Sequence, residues 1–292
     1  MNRPRAPLFA TINVTGQCNL ACRYCFFQPR PREAMVWDDY ERVINELSDL
    51  QVFFVNISGG EPFTHPQIDR FIRFVHERFA HVVVITNGTI LEEHHIQAIR
   101  SVVVQKGGFP IQVSIDAIDP EVNARTRGDS RPVLANLEKL KALEANIVIA
   151  MVATKFNIAH MPSDIAQLAS TTRFFHIMPF QPVKALHGTD CDCELSADES
   201  TALWQRVRSI RDDLGLHIDT PLDEGGVAGC ASGAPCMAAF SHLVIDSDMR
   251  VRPCDRLVET TIGDLKKSTL TEIWNGEPAS RLVSRPSPLC HA

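Results

Sequence analysis

Three cysteines near the N-terminus lie four and three positions apart, in the segment Cys18-Asn19-Leu20-Ala21-Cys22-Arg23-Tyr24-Cys25. The apolar run Leu8 to Val14, which reads as a strand, comes just before it. Thiolates are soft ligands, suited to iron–sulfur clusters and to zinc. A short loop with this spacing closes over one face of a cubane cluster, serving three irons and leaving the fourth open. A structural zinc knuckle and incidental cysteines are the alternatives that the three residues alone leave standing.

A second motif, Gly59-Gly60-Glu61-Pro62, ends the apolar run Val52 to Ser58. Two glycines let a backbone approach a ligand closely. The elements that must position both motifs alternate. Strand-like runs at 8–14, 52–58, 81–86, 111–116, 147–154 and 174–178 are separated by helix-like stretches at 38–50, 68–79, 92–101, 132–145 and 163–170. Six βα units before residue 185 predict an α/β fold, a partial (βα)6 TIM-like barrel. Its chemistry is expected at the C-terminal strand ends.

Cys-x3-Cys-x2-Cys after a first strand, with Gly-Gly-Glu-Pro one unit later, resembles the radical S-adenosylmethionine (radical SAM) superfamily. The resemblance implies a 4Fe–4S cluster held by Cys18, Cys22 and Cys25, with SAM chelating the open iron. One electron then cleaves SAM to a 5′-deoxyadenosyl radical that abstracts a substrate hydrogen. By the same resemblance Tyr24 approaches the adenine, and Gly59, Gly60 and Glu61 hold the amino group. Ser114 and Asp116 bind the ribose hydroxyls or the carboxylate, and Asn87 touches SAM. Arg125 or Arg127, the latter preferred, pairs with the carboxylate. The resemblance also implies an electron donor such as a flavodoxin or ferredoxin.

Beyond Met178 a Pro- and Asp-containing loop carries Cys191 and Cys193, and a helix is expected at 197–214. A Gly-rich stretch with Cys230 leads to Cys236, a hairpin over 241–254 ending at Cys254, Ile262-Gly263-Asp264-Leu265, a helix at 269–274 and Cys290. This order resembles the SPASM/twitch extension of radical SAM enzymes, whose short form binds one auxiliary 4Fe–4S cluster. The resemblance makes Cys236, Cys254 and Cys290 ligands. Where a Cys-x2-Cys pair would normally close the site, the sequence reads Cys290-His291-Ala292. Cys230 is the expected fourth ligand, with His291 or an open iron as alternatives, and zinc on the same thiols is the physical alternative. The expected division is a radical SAM barrel over 1–185, a linker and helix over 186–222, and a small α+β iron–sulfur module over 223–292.

The 292 residues, 45% hydrophobic and 22% charged, suffice for a full core. No apolar run approaches the ~20 residues that span a membrane, and no signal-peptide h-region is visible. Nine cysteines in such a chain point to a reducing cytoplasm with metal sites. A formal charge of −6 argues against nucleic acid as partner. It is compatible with a cationic substrate, although it also simply keeps a protein soluble.

Peptide-modifying relatives often add an N-terminal domain that captures a leader peptide. Strand one begins by about residue 8, which favours a small molecule. The length and single auxiliary module resemble aminoglycoside-pathway members of the family, of the neomycin epimerase and 2-deoxy-scyllo-inosamine dehydrogenase kinds. The expectation is therefore epimerisation of a cationic aminoglycoside, with Cys230, Cys191 or Cys193 returning a hydrogen atom. The alternatives are an aminocyclitol alcohol dehydrogenase, a ribosomal-peptide maturase and a non-catalytic iron–sulfur redox sensor.

Overall fold

A computed structural model describes residues 3–25, 27, 33–182, 192–219 and 238–283. Parallel strands β1 (Phe9–Asn13), β2 (Phe54–Ser58), β3 (His81–Thr86), β4 (Pro110–Ser114), β5 (Asn146–Ala153), β6 (Phe174–Pro179) and β7 (His217–Asp219) pair in sequence order. The connecting helices are α1 (Trp37–Asp49), α2 (Ile68–Arg78), α3 (Glu93–Lys106), α4 (Pro120–Ala124), α5 (Arg131–Ala142), α6 (Met161–Leu168) and α7 (Ala197–Leu214). This is the expected curled α/β sheet, with a seventh strand in the stretch read as linker and helix.

The elements form where apolar periodicity demands burial. In α1 the stripe Tyr40, Val43, Ile44 and Leu47 is buried, and Tyr40 stacks on Phe71 of α2 with ring centroids 3.9 Å apart. Burying each such side chain stabilises the fold by about 2 kcal/mol. α3 runs past the expected Ser101 to Lys106 and stops at Gly107, whose positive φ of 74° suits a left-handed cap. α4 escaped the sequence reading because it is one turn long. Asp119 caps it, accepting the Glu121 and Val122 amides.

The C-terminal hairpin is an extension of the same sheet. β8 (His242–Ile245) pairs parallel with β1, and β9 (Arg250–Arg252) and β10 (Gly263–Asp264) follow antiparallel. The order is thus β10-β9-β8-β1-β2-β3-β4-β5-β6-β7. Two short helices, α8 (Leu270–Asn275) and α9 (Glu277–Val283), complete this part. The Trp274 indole N–H donates to Pro4 O, and the Arg3 guanidinium lies 3.8 Å from the Trp274 ring centroid. The beginning of the chain is therefore clamped by its C-terminal part. No helix among the described residues is long and apolar enough to cross a membrane.

Candidate active site

Strands β1 to β4 each deliver lining residues at or just past their C-terminal ends. After β1 come Gly16, Gln17 and the three cysteines, and after β2 come Gly59 and Gly60. Asn87 follows β3, and Ser114 ends β4. All of them, with Tyr24, Arg127 and Asp255, line one cavity of about 660 Å³. Leu20, Phe27 and Ile85 give it apolar wall.

Besides lining the cavity, the glycines make a close approach within the chain itself. The Gly60 amide donates to Thr15 O at 2.8 Å, and the Glu61 amide to Gln17 O at 2.7 Å. A Cβ on Gly60 would lie 1.9 Å from Gln17 O, and one on Gly59 2.4 Å from Thr15 O. Two backbones meet here, so the glycines press the β2 turn against the base of the cysteine loop.

Glu61 is fully buried. Its carboxylate accepts from the Phe63 and Asn87 amides and from the Thr86 hydroxyl. Burial pushes its pKa up to about 7 against the pull of these donors. Glu61 thus ties the ends of β2 and β3 together.

Asp116 is also fully buried. Oδ2 accepts from the Tyr24 hydroxyl at 2.6 Å and the Thr126 hydroxyl at 2.7 Å. Oδ1 accepts from Arg127 Nε at 3.1 Å and the Val152 amide at 3.0 Å. Both oxygens are engaged by protein donors and Asp116 does not line the cavity, so in this structure it braces the wall. The cavity-facing cation is its partner, Arg127. Burial pulls the Arg127 pKa down, but Asp116, Tyr24 and Cys22 together outweigh it and hold the guanidinium above its ordinary value. Nε is spent on Asp116, and neither Nη has a partner among the described residues, which suits the pair to a carboxylate. Arg125 is exposed and lies outside the cavity wall.

The three thiols fit a cluster by the chemistry of the set. Cys18 Sγ accepts from the Leu20 amide and from Asn87 Nδ2. Burial pushes Cys22 up to about 11, with Arg127 pulling it down and the neighbouring thiols pushing it further up. Thiols gathered this closely lose their protons most readily when a metal takes the charge. The donors, Arg127 and the roomy cavity beside them suit thiolates on a cluster with a ligand above it.

Of the expected auxiliary ligands, Cys254 lies at the hairpin end, partly buried. Cys236, Cys290, Cys230 and His291 lie outside the described residues, as does Cys191. Cys193 is fully buried with Tyr24 and Phe180 and does not line the cavity. The structure therefore separates this candidate hydrogen donor from the cavity by the packing of those rings.

Sequence reasoning missed the ion pair that seats Cys254. Arg252, 2% exposed, reaches Asp246 through Nε and Nη2, and its Nη1 donates to the Cys254 and Asp255 carbonyls. Asp246 accepts from Asn13 Nδ2 of β1. Asp255, beside Cys254 in the chain, enters the cavity wall. Its signal was available: it directly follows an expected ligand.

One other ligand-like group exists among the described residues: Asp69, His94 and His95, with donor atoms within 4.8 Å of one another. His95 Nδ1 accepts the Glu92 amide in the α3 capping box, so a neutral His95 carries its proton on Nε2. That tautomer is wrong for a metal ligand.

Residues 12–168 match the radical SAM superfamily, and residues 236–292 match an iron–sulfur cluster-binding domain. Together these matches imply a SAM-bound 4Fe–4S cluster and an auxiliary cluster. The chain is similar to the antilisterial bacteriocin subtilosin biosynthesis protein AlbA of Bacillus subtilis, 27% identical over 97% of this chain and 62% of that protein. It is similar to the mycofactocin maturase MftC of Mycobacterium ulcerans, 26% identical over 96% of this chain and 78% of that one. Its fold is similar to that of Streptococcus suis SuiB, solved with the precursor peptide SuiA. That TM-score is 0.80 at 18% identity, over 97% of this chain and 68% of SuiB.

Proposed function

The chain belongs to the radical SAM superfamily, and from that premise we propose that it modifies a ribosomally made peptide at an unactivated C–H bond. The names of two sequence relatives, a bacteriocin biosynthesis protein and a maturase, support a peptide substrate. Because the chain spans 62% of AlbA's length, that protein's activity enters here only as part of this proposal.

The observation that carries the reading is the shared cavity. The three-cysteine loop and Asp255, the neighbour of Cys254, line the same space. A substrate seated there lies between the two ligand sets, which favours an oxidative outcome with the second electron leaving toward the Cys254 side.

When bound, SAM and its cluster supply the one-electron cleavage that removes a hydrogen atom from the substrate. The chain's residues do the rest. Cys18, Cys22 and Cys25 would hold three of the irons. Arg127, aimed by Asp116, offers its free Nη pair to the SAM carboxylate. Tyr24, pinned through its hydroxyl, keeps its ring at the wall, and Leu20, Phe27 and Ile85 add apolar surface beside it. Fixing both reactants side by side in one cavity converts their encounter into an oriented, effectively unimolecular step.

A second reading, oxidation or epimerisation of a cationic aminoglycoside or aminocyclitol, draws on Asp255, the single carboxylate of the described cavity wall. Its epimerase form needs a hydrogen donor at the cavity, and buried Cys193 does not supply one.

The test is an anaerobic reaction in deuterated water with SAM and dithionite. One arm holds peptides encoded beside the gene; the other holds neomycin-type aminoglycosides. A peptide lighter by two hydrogens supports the first reading. A sugar product carrying one deuterium supports epimerisation, and a sugar lighter by two hydrogens supports dehydrogenation.

A further inference from the structure

Asn87 follows β3 and is 8% exposed. Its amide can be oriented from its partners alone. Oδ1 accepts from the Thr89 backbone amide at 2.9 Å and from the Thr89 hydroxyl at 2.6 Å. A backbone N–H can be met only by the oxygen, so the NH₂ group must point the other way.

There it has two acceptors, one for each hydrogen: Asn19 Oδ1 at 2.9 Å and Cys18 Sγ at 3.8 Å. Asn19 Nδ2 in turn donates to Thr89 Oγ1 at 2.8 Å, closing a ring of three side chains in which each donates to the next. The Asn87 backbone is fixed independently, its amide donating to Glu61 Oε2 at 2.6 Å. The side chain is locked before any cluster arrives, with one N–H committed to a cysteine sulfur.

We propose that Asn87 is a positioning residue for the N-terminal cluster. Its Nδ2–H donates to the Cys18 sulfur and raises the cluster's reduction potential. A reduced cluster carries one more negative charge on its irons and sulfurs, so an N–H donor stabilises that state more than the oxidised one. The Leu20 amide, 3.5 Å from the same sulfur, adds to the effect. Being backbone, it survives side-chain substitution, so the two contributions are separable. The role differs from the SAM contact that the sequence suggested for Asn87. It rests on the family's cluster and not on the identity of the substrate.

The experiment is a redox titration of the reconstituted full chain, followed by electron paramagnetic resonance, on wild type, Asn87→Ala and Thr89→Val. The auxiliary cluster serves as internal reference. Asn87→Ala is expected to shift the N-terminal cluster to more negative potential, leaving the auxiliary wave and the iron content unchanged. Thr89→Val, which keeps the amide but loosens its orientation, should give a smaller shift of the same sign. A loaded Asn87→Ala chain with unchanged potential would overturn the proposal. So would failure of that variant to assemble the cluster, which would make Asn87 a scaffold of the loop. A wild-type chain that assembles no SAM-responsive cluster would instead remove the family-based reading, a distinct result.

Discussion

The Tyr24 hydroxyl donates to Asp116 Oδ2 at 2.6 Å, joining the three-cysteine loop to the segment after β4. On its other oxygen Asp116 holds Arg127, whose guanidinium lies 5.3 Å from the Tyr24 ring centroid. One buried carboxylate thus fixes both the motif's aromatic ring and the cavity's cation.

Replacing it should be costly. Asp116→Asn leaves Arg127, only 13% exposed, without its counter-charge. A buried pair broken on one side loses about 3–5 kcal/mol. Urea unfolding of the cluster-free variant should show that loss, and Arg127→Met in the same background should recover part of it.

The second expectation concerns pH. Glu61 has an ordinary value of 4.5 and is pushed to about 7 by burial. The folded chain therefore keeps a proton that the unfolded chain gives up. The associated stability is complete below pH 4.5 and is lost as pH rises through 7, about 3 kcal/mol in all. Unfolding of the cluster-free protein across that window should show the decline, and Glu61→Gln should flatten it.

Gly60→Ala tests the meeting of backbones. The new methyl would lie 1.9 Å from Gln17 O, and backbone rather than a flexible side chain must move. Overpacking of this kind costs about 1–3 kcal/mol and displaces its surroundings. The variant should lose iron from the N-terminal site while keeping the auxiliary cluster, read by iron analysis and electron paramagnetic resonance.

Arg252→Met removes the donors that hold the Cys254 and Asp255 carbonyls and leaves Asp246 buried with Asn13 as its remaining donor. The opposite selectivity is expected here: the auxiliary cluster is lost and the N-terminal one retained. Cys254→Ala should likewise lower iron by one cluster.

Much of this was legible because it depends on local pattern. Apolar period placed the strands: His81–Thr86 and the helix Ala197–Leu214 match the sequence reading at both ends. Residue type drew Cys18, Cys22, Cys25, Gly59, Gly60 and Arg127 to one site. What escaped is set by partners distant in the chain. That Asp116 faces four donors depends on Tyr24, Thr126, Arg127 and Val152 converging in space. The β8 hairpin joins β1 across more than two hundred residues, and no local signal marks a strand's distant partner. The glycines were read as a close approach to a ligand; their additional approach to the Thr15 and Gln17 backbone escaped, since those two residues carry no motif of their own.

The most direct test of the central claim is SAM cleavage. The reconstituted, dithionite-reduced wild-type chain should convert SAM to 5′-deoxyadenosine, measured by liquid chromatography under strict anaerobiosis. Cys22→Ala should fall to the protein-free background while retaining its auxiliary iron. A Cys22→Ala chain that still makes 5′-deoxyadenosine at the wild-type rate would contradict the assignment of the three cysteines, and with it the account of the cavity they line.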